Sequence, residues 1–291
     1  MSRLEYLHLG GTLFIPASHK GLVAIVSEQK YPALKSLVID FEDGLDREDI
    51  LEAEVAFQRV LHLIDEHSPA VYVRARDTEH LSKLLQIEGI DAITGFVLAK
   101  FSLENAEEYC AILAESKALI MPSIEGEELF DREKLIALKN ILTPHKHKIV
   151  LVRFGLEDML RSLGMRRECS ESIFDYSVTS TTVGYFLGVF KSAGYAVSGG
   201  VYPCFKDDEG FARDLLRDLK EGLFSKTIIH PRQIEIVNSI YRVSQREYEE
   251  AKEIVDASAA VFAQNGKMAE VVTMLPYSEM ILKRAEIYGL S

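Results

Sequence analysis

The chain has 291 residues, 47% hydrophobic and 27% charged, with a formal net charge of -12. That length suits one (β/α)8 barrel of about 250 residues plus an appendage. The acidic balance argues against nucleic-acid binding as the main task, since a phosphate backbone calls for a basic face, and leaves room for a local cationic pocket.

No apolar run reaches the roughly 18 residues that span a bilayer, and the opening MSRLEYLHLGG lacks the apolar core of a secretory signal. Cys110, Cys169 and Cys204 are widely spaced, with no CxxC pair. The expectation is a cytoplasmic protein with no membrane or nucleic-acid partner, no zinc site and no disulfide framework.

In chain order, short β-branched runs predict strands over 12–16, 36–40, 70–76, 95–100, 118–125, 148–155, 196–203 and 226–230. Amphipathic stretches separate them. DREDILEAEVAFQRVLHLIDEH places Ile50, Val55, Val60, Leu61 and Ile64 near helical spacing. LENAEEYCAILAES, DREKLIALKNIL, a segment near 179–192 and DDEGFARDLLRDLKEG follow. Strand and helix alternating eight times predict an α/β fold, a (β/α)8 TIM barrel over 1–243. A doubly wound open sheet uses the same alternation, but it normally carries a Gly-rich phosphate turn, and the first strand runs into TLFIPASHKG instead.

Beyond the eighth strand the sequence predicts a C-terminal helical extension over 244–291. PRQIEIVNSIYRV leads into SQREYEEAKEIVDASAAVFAQ, with Ser244 as N-cap and Glu247 at capping-box spacing. A break at NGKMAEVVTMLPY precedes a last helix, SEMILKRAEIYG. This extension either closes the barrel floor or packs on a neighbouring subunit.

Charged residues stand at the ends of the predicted strands, which in a barrel all open onto one face. Glu125 and Asp158 follow strands five and six, and two carboxylates with waters suit octahedral Mg²⁺. The competing reading is that each caps the helix after its strand. Asp40, Glu42 and Asp43 form an acidic knot that either faces a cation and its waters or favours the helix dipole ahead of DREDILEAEV. Arg74 is the natural holder of an anion, because a guanidinium grips a carboxylate with two parallel hydrogen bonds. Lys100 either serves the same pocket or is a solvated strand end. His230, in TIIHP, is either a ligand or general base or, as the preferred reading, hydrogen-bonded packing in a turn, and the run from His145 to Lys148 reads as a solvated loop on the opposite face. No GxSxG, HExxH or P-loop string is present.

Together these segments resemble the citrate lyase β-subunit-like (HpcH/HpaI aldolase/citrate lyase) family of barrel carbon–carbon lyases, over about 12 to 288. IDFEDG is similar to the family's "DLEDAV", VYVRAR to "VRVN", VLAK to "LPK" and MPSIEG to "P.IE". FGLEDMLRSLG is similar to "G..DL...LG", and IIHPRQIEIVN to "IHP.QI..VN". The opening EYLHLGGTLFIPASHKGLVAIVSEQKYPALKSLVI, with SLGMRR, SKTIIHP and RAEIYG, resembles the divergent branch encoded beside tellurium-resistance genes.

The resemblance implies a Mg²⁺-dependent lyase of the retro-aldol or Claisen type, acting on a 3-hydroxy-acyl-CoA or related hydroxy acid. It implies Glu125 and Asp158 as metal ligands, Glu42 and Asp43 as holders of metal-bound water, and Arg74 on the reacting acyl oxygens. Lys100 is a further substrate contact. Glu270, where the family's "G.MID" string has aspartate, would supply an acid to a neighbouring subunit in a homo-oligomer, with a trimer favoured. Ala99 replaces the family's proline, and Ala75-Arg76 its "VN". Two other expectations stand beside this one. One is the same chemistry on a phosphorylated or nucleotide-like metabolite without coenzyme A, held by Arg74, Arg76 and Lys100. The other is a non-catalytic binding or scaffold subunit.

Overall fold

The computed structural model of the protein describes residues 5–27 and 30–291. Its strands are β1 (Gly11–Pro16), β2 (Ser36–Asp40), β3 (Ala70–Ala75), β4 (Gly95–Leu98), β5 (Leu119–Ile124), β6 (Arg153–Phe154) and β7 (Lys226–Ile228). They form one parallel sheet in the order β6-β5-β4-β3-β2-β1-β7. The gap between β6 and β7 is filled by residues 196–199. Val152 bridges Val197 on one side and Gly199 bridges Lys226 on the other, with Ser198 N donating to Val152 O at 3.1 Å and Thr227 N to Gly199 O at 3.2 Å. The ring closes as the expected barrel.

Around it lie α1 (Leu22–Val26), α2 (Ile50–Leu61), α3 (Thr78–Leu84), α4 (Ala106–Ile112), α5 (Arg132–Leu142), α6 (Leu156–Ser162), α7 (Ser177–Ser192) and α8 (Asp208–Lys220). The pleat sorts side chains onto the two faces of the sheet. Leu13, Leu37, Ile39, Val71, Val73 and Val152 belong to the large core between barrel and helices. Val38, Tyr72, Val97, Met121 and Leu151 fill a smaller core inside the ring. Asp40, Arg74, Ser123 and Arg153 each stand two residues after one of those interior positions. They share the inner face at its C-terminal end.

Several expectations are corrected. The sixth run, 148–155, makes regular ladder contacts only at Arg153 and Phe154. The seventh, 196–203, forms no strand, because Gly199-Gly200 gives it no side-chain support and Pro203 no N–H donor. On α2 the buried face is Ala53, Phe57, Val60 and Leu61, and Val55 is exposed. Cys169 and Cys204 form a disulfide, with Cα atoms 5.7 Å apart, which their spacing had argued against. Linear distance misled here, since the loops after β6 and after segment 196–199 are neighbours on the barrel rim.

The tail comprises α9 (Arg232–Ile240), α10 (Gln245–Val255), an antiparallel hairpin of β8 (Val261–Gln264) and β9 (Lys267–Glu270), and α11 (Val271–Tyr288). Ser244 and Glu247 form the expected capping box. The helix expected from Ser244 through Gln264 stops at Val255, and Asn265 and Gly266, both at positive φ, turn the following segment into a hairpin. The last helix starts at Val271 and runs through Pro276. It packs on α10 and on the N-terminal 3-10 helix Glu5–Leu9, where Tyr288 Oη donates to Leu7 O at 2.6 Å. Among the described residues no helix is long and apolar enough to cross a membrane.

Candidate active site

The C-terminal ends of the strands surround a cavity of about 520 Å³, lined by Asp40, Asp43, Arg74, Ser123, Glu125, Arg153 and Asp158 among others. A larger hollow of about 790 Å³ lies at the other end, against Lys35, Ala70, Thr94 and Leu119. Barrel chemistry takes place at the C-terminal face, and the converging acids are there.

Arg74, one residue before the end of β3, lies beside Asp40 at the end of β2, in direct register. Its Nε and Nη2 donate to the two Asp40 carboxylate oxygens, both at 2.6 Å. The fork expected to grip a substrate therefore grips Asp40. Glu42 Oε2 stands 3.1 Å from Arg74 Nη1, but off the line of its N–H bonds, and it is buried with no hydrogen-bond partner. The Nη1 end of Arg74 thus keeps donors for a ligand oxygen. Burial and Asp43 push the Glu42 carboxyl above its usual range, against the pull of Arg74 and Lys100.

Lys100 pairs with Glu42 and lies 3.3 Å from Asp43. Its backbone is left-handed, with φ 48°, held by Asn105 Nδ2 donating to Lys100 O at 2.9 Å. A lysine kept in that sparsely populated conformation is aimed by its surroundings. Lys100 is therefore paired into the acidic knot while its side chain stays half exposed to solvent.

Glu125 follows β5 and is buried, and its Oε2 has no hydrogen-bond partner. Burial raises its pKa to about 7, with Asp158 and Glu42 adding like charge and Ser123 and Arg74 opposing. Gly155 makes room for it, since a Cβ there would stand 2.4 Å from Glu125 Cγ. Asp158 lies in the first turn of α6 and pairs with Arg161 at 2.5 Å. The structure brings Asp40, Glu42, Asp43, Arg74, Lys100, Glu125 and Asp158 to one mouth. Glu270 is not among the residues lining this cavity. It is exposed at the start of α11 and accepts from Thr273 Oγ1 at 2.9 Å.

Other candidates have structural work. Arg76 Nη1 donates to Phe41 O and Leu45 O, at 3.0 and 3.1 Å, and clamps the loop after β2. His230 stacks on Phe205 at 4.7 Å and accepts from Arg232 N. In the 3-10 turn Thr143–Lys148, Lys148 Nζ donates to the carbonyls of Leu113, Ala114 and Ser116 beyond α4. Arg153 escaped the sequence analysis. Its signal was a charge in the apolar run IVLVRFG, two residues before the strand-end glycine.

No cluster of three or more His, Cys, Asp and Glu side chains arranged to hold a metal occurs among the described residues. The site offers a cation two acids and an orphaned buried oxygen. Asp40, Glu42, Asp43, Glu125 and Asp158 also outnumber Arg74, Lys100 and Arg153. Such a donor set fits Mg²⁺, which accepts one or two carboxylates and keeps several waters.

Closed parallel barrel and converging strand-end acids define a TIM-barrel protein with an acidic, arginine-bearing site at its C-terminal mouth. The chain belongs to the carbon–carbon bond lyase family described as C-C_Bond_Lyase of the TIM-Barrel fold, whose model matches residues 3–290. Its relatives include the citrate lyase subunit beta of Escherichia coli strain K12, 24% identical over 96% of this chain and 93% of that one. The (3S)-malyl-CoA thioesterase of Cereibacter sphaeroides is 22% identical over 94% of each. Among solved structures, protein CitE from Mycobacterium tuberculosis in complex with magnesium, acetoacetate and coenzyme A matches with TM-score 0.70 and 21% identity, over 97% of this chain and 99% of that one.

Proposed function

We propose that the protein is a Mg²⁺-dependent carbon–carbon lyase that cleaves a 3-hydroxy-acyl-CoA or related hydroxy acid by a retro-aldol or Claisen-type step. The observation that carries this is the Glu125 carboxylate, buried, orphaned at Oε2, and set beside Asp158 and Arg74. Leaving such an oxygen unsatisfied costs free energy that a bound cation recovers. The complex of CitE with magnesium, acetoacetate and coenzyme A supports the same assignment.

Glu125 and Asp158 would hold the cation, and Glu42 and Asp43 its water. The cation would supply Lewis acidity toward the substrate oxygens. Arg74, kept in place by Asp40, turns its Nη1 end to the acyl oxygen on which charge develops as the carbon–carbon bond breaks. Burial at the barrel mouth keeps that interaction strong. The proton needed at the enolate carbon is assigned to Glu270 of a second copy, since Glu270 lies away from this chain's own cavity.

A second reading keeps the chemistry and replaces the thioester by a phosphorylated or nucleotide-like metabolite, in a tellurium-resistance or other stress setting. It loses Arg76, which is spent on loop carbonyls, and it draws support from the unpaired Arg153. A scaffold role leaves the orphaned acid without purpose.

Calorimetric titration of wild type and Asp158→Ala tests the proposal. Mg²⁺ is added first, then pyruvate, glyoxylate, oxaloacetate and acetyl-CoA. The expected outcome is oxo-acid binding that requires Mg²⁺ and is lost in the variant. Binding of acetyl-CoA selects the thioester reading and its absence the second one. Full Mg²⁺-dependent turnover in Asp158→Ala would overturn the assignment.

A further inference from the structure

Arg153 lies on β6 inside the barrel, 3% exposed, and forms part of the wall of the active cavity. Its Nη1 donates to Thr227 Oγ1 at 2.9 Å and to Ser198 Oγ at 3.3 Å, and its Nη2 faces Met121 Sδ at 3.4 Å. Nε is buried with no partner. Among the described residues no carboxylate lies within 4.0 Å of it. Other buried cations of this chain are treated differently. Arg167 pairs with Asp214, Lys226 pairs with Asp214 and Asp218, and Arg284 donates to the carbonyls of Tyr241 and Arg242. Among the described residues, hydroxyls, a thioether and the Phe14 ring face Arg153, and none of them carries a charge.

A buried charge without a counterion is costly. Burial drives the Arg153 pKa down to about 9, with Arg74 adding to the effect, so the group is still charged at neutral pH. A hydrophobic residue would fill this interior position at less cost. The charge therefore asks for a partner that the chain does not supply, and the cavity is where that partner enters. Phe14 marks the distance involved: its ring centroid is 5.5 Å from the Arg74 guanidinium and 5.1 Å from that of Arg153. One small molecule can reach both.

We propose that Arg153 is a second anion anchor of the site, receiving a carboxylate or phosphate that the substrate carries in addition to the oxygens facing Arg74 and Glu125. Thr227 and Ser198 hold the guanidinium flat for that group. The placement of the reacting end rests on the lyase reading, whereas the anchor itself rests on Arg153 alone. It narrows the substrate to one that carries a further anionic group within reach of the reacting end.

The test is calorimetric titration of the full chain, with and without Mg²⁺, using pyruvate, oxaloacetate and 3-phosphonopyruvate. These share an oxo-acid end and differ in the second charge: none, carboxylate or phosphonate. Wild type is compared with Arg153→Met, which keeps volume, and with Arg153→Gln, which keeps a hydrogen-bonding end without the charge. Both variants are expected to lose ten-fold or more in affinity for the second-charge ligand that wild type prefers, and less than three-fold for pyruvate. The preferred ligand separates a carboxylate from a phosphate source. Without ligand, Arg153→Met is expected to melt no lower than wild type.

Equal losses for pyruvate and the doubly charged acids would reduce Arg153 to a support of cavity shape and overturn the anchor. So would unchanged affinities in both variants. Dependence on Arg153 without dependence on Mg²⁺ would keep the anchor and remove the metal-lyase reading. Mg²⁺-dependent binding indifferent to Arg153 would do the reverse.

Discussion

Glu125 shows how one residue couples stability to function. Its carboxyl titrates near pH 7 when folded and near 4.5 when unfolded, chiefly through burial. Between those values the folded state binds more protons, so stability from this group is full below about pH 4.5 and falls as pH rises to 7. The shift corresponds to about 3 kcal/mol at pH 8. Glu125→Gln is therefore expected to raise the melting temperature of the metal-free protein by several degrees at pH 8, and hardly at all at pH 4.5. Thermal scans at the two pH values check this. The same variant should no longer be stabilised by added Mg²⁺, because the oxygen that gains from the cation is gone. A variant less stable than wild type at pH 8 would show that Glu125 is held by contacts other than those described.

At the scale of elements, segment 196–203 is the weak arc of the ring, with bridges only at Val197 and Gly199. Side chains make up for the missing ladder. Arg167 Nη2 donates to Val201 O at 2.9 Å, Gln233 Nε2 to Tyr202 O at 3.2 Å, and Tyr202 Oη reaches Cys169 O and Asp207. Behind them Lys226 Nζ joins Asp214 and Asp218, each at 2.6 Å, fastening β7 to α8. Removing one member of such a buried set leaves the others uncompensated. Lys226→Ala is expected to cost about 3–5 kcal/mol in urea unfolding. Exposed pairs such as Lys83 with Glu79 are expected to contribute under about 1 kcal/mol. A Lys226→Ala loss as small as that would remove the network from its role in holding the barrel closed.

At the scale of the whole molecule, the tail serves two surfaces. One side of it seals the floor through Leu7, Phe224, Val243, Met280 and Ile281. Away from it, Val261, which pairs with Glu270 in the hairpin, and Met268 and Val272 close by in the chain are exposed apolar residues, of the kind found at contact surfaces. If Glu270 serves a neighbouring copy, Glu270→Ala and Asp158→Ala fail in different halves of one shared site. Each alone should be inactive, and mixing them under exchange conditions should restore part of the activity. In mixed assemblies some sites pair an intact Asp158 with an intact Glu270. No recovery, with mixed assemblies shown to form, would place the proton donor elsewhere.

By itself the sequence determined the barrel, because strand and helix periods are local and their alternation admits few closed architectures. It also determined which strand ends carry charge, and the resemblance of its motifs led to the family. Tertiary structure decided what those charges do to one another. Whether Arg74 faces a ligand or Asp40 depends on β2 and β3 being adjacent and in register. Whether Cys169 meets Cys204 depends on neighbouring loops at the rim, and whether Arg153 finds an acid depends on what β1, β5 and β7 place inside the ring. The break at Asn265-Gly266 was legible, since both residues favour positive φ, whereas the two short strands flanking it were not. The break in the seventh strand was hidden by an apolar run that reads as β until the sheet around it closes. Pairwise electrostatics follows distances across the fold, and distance along the chain carries almost none of that information.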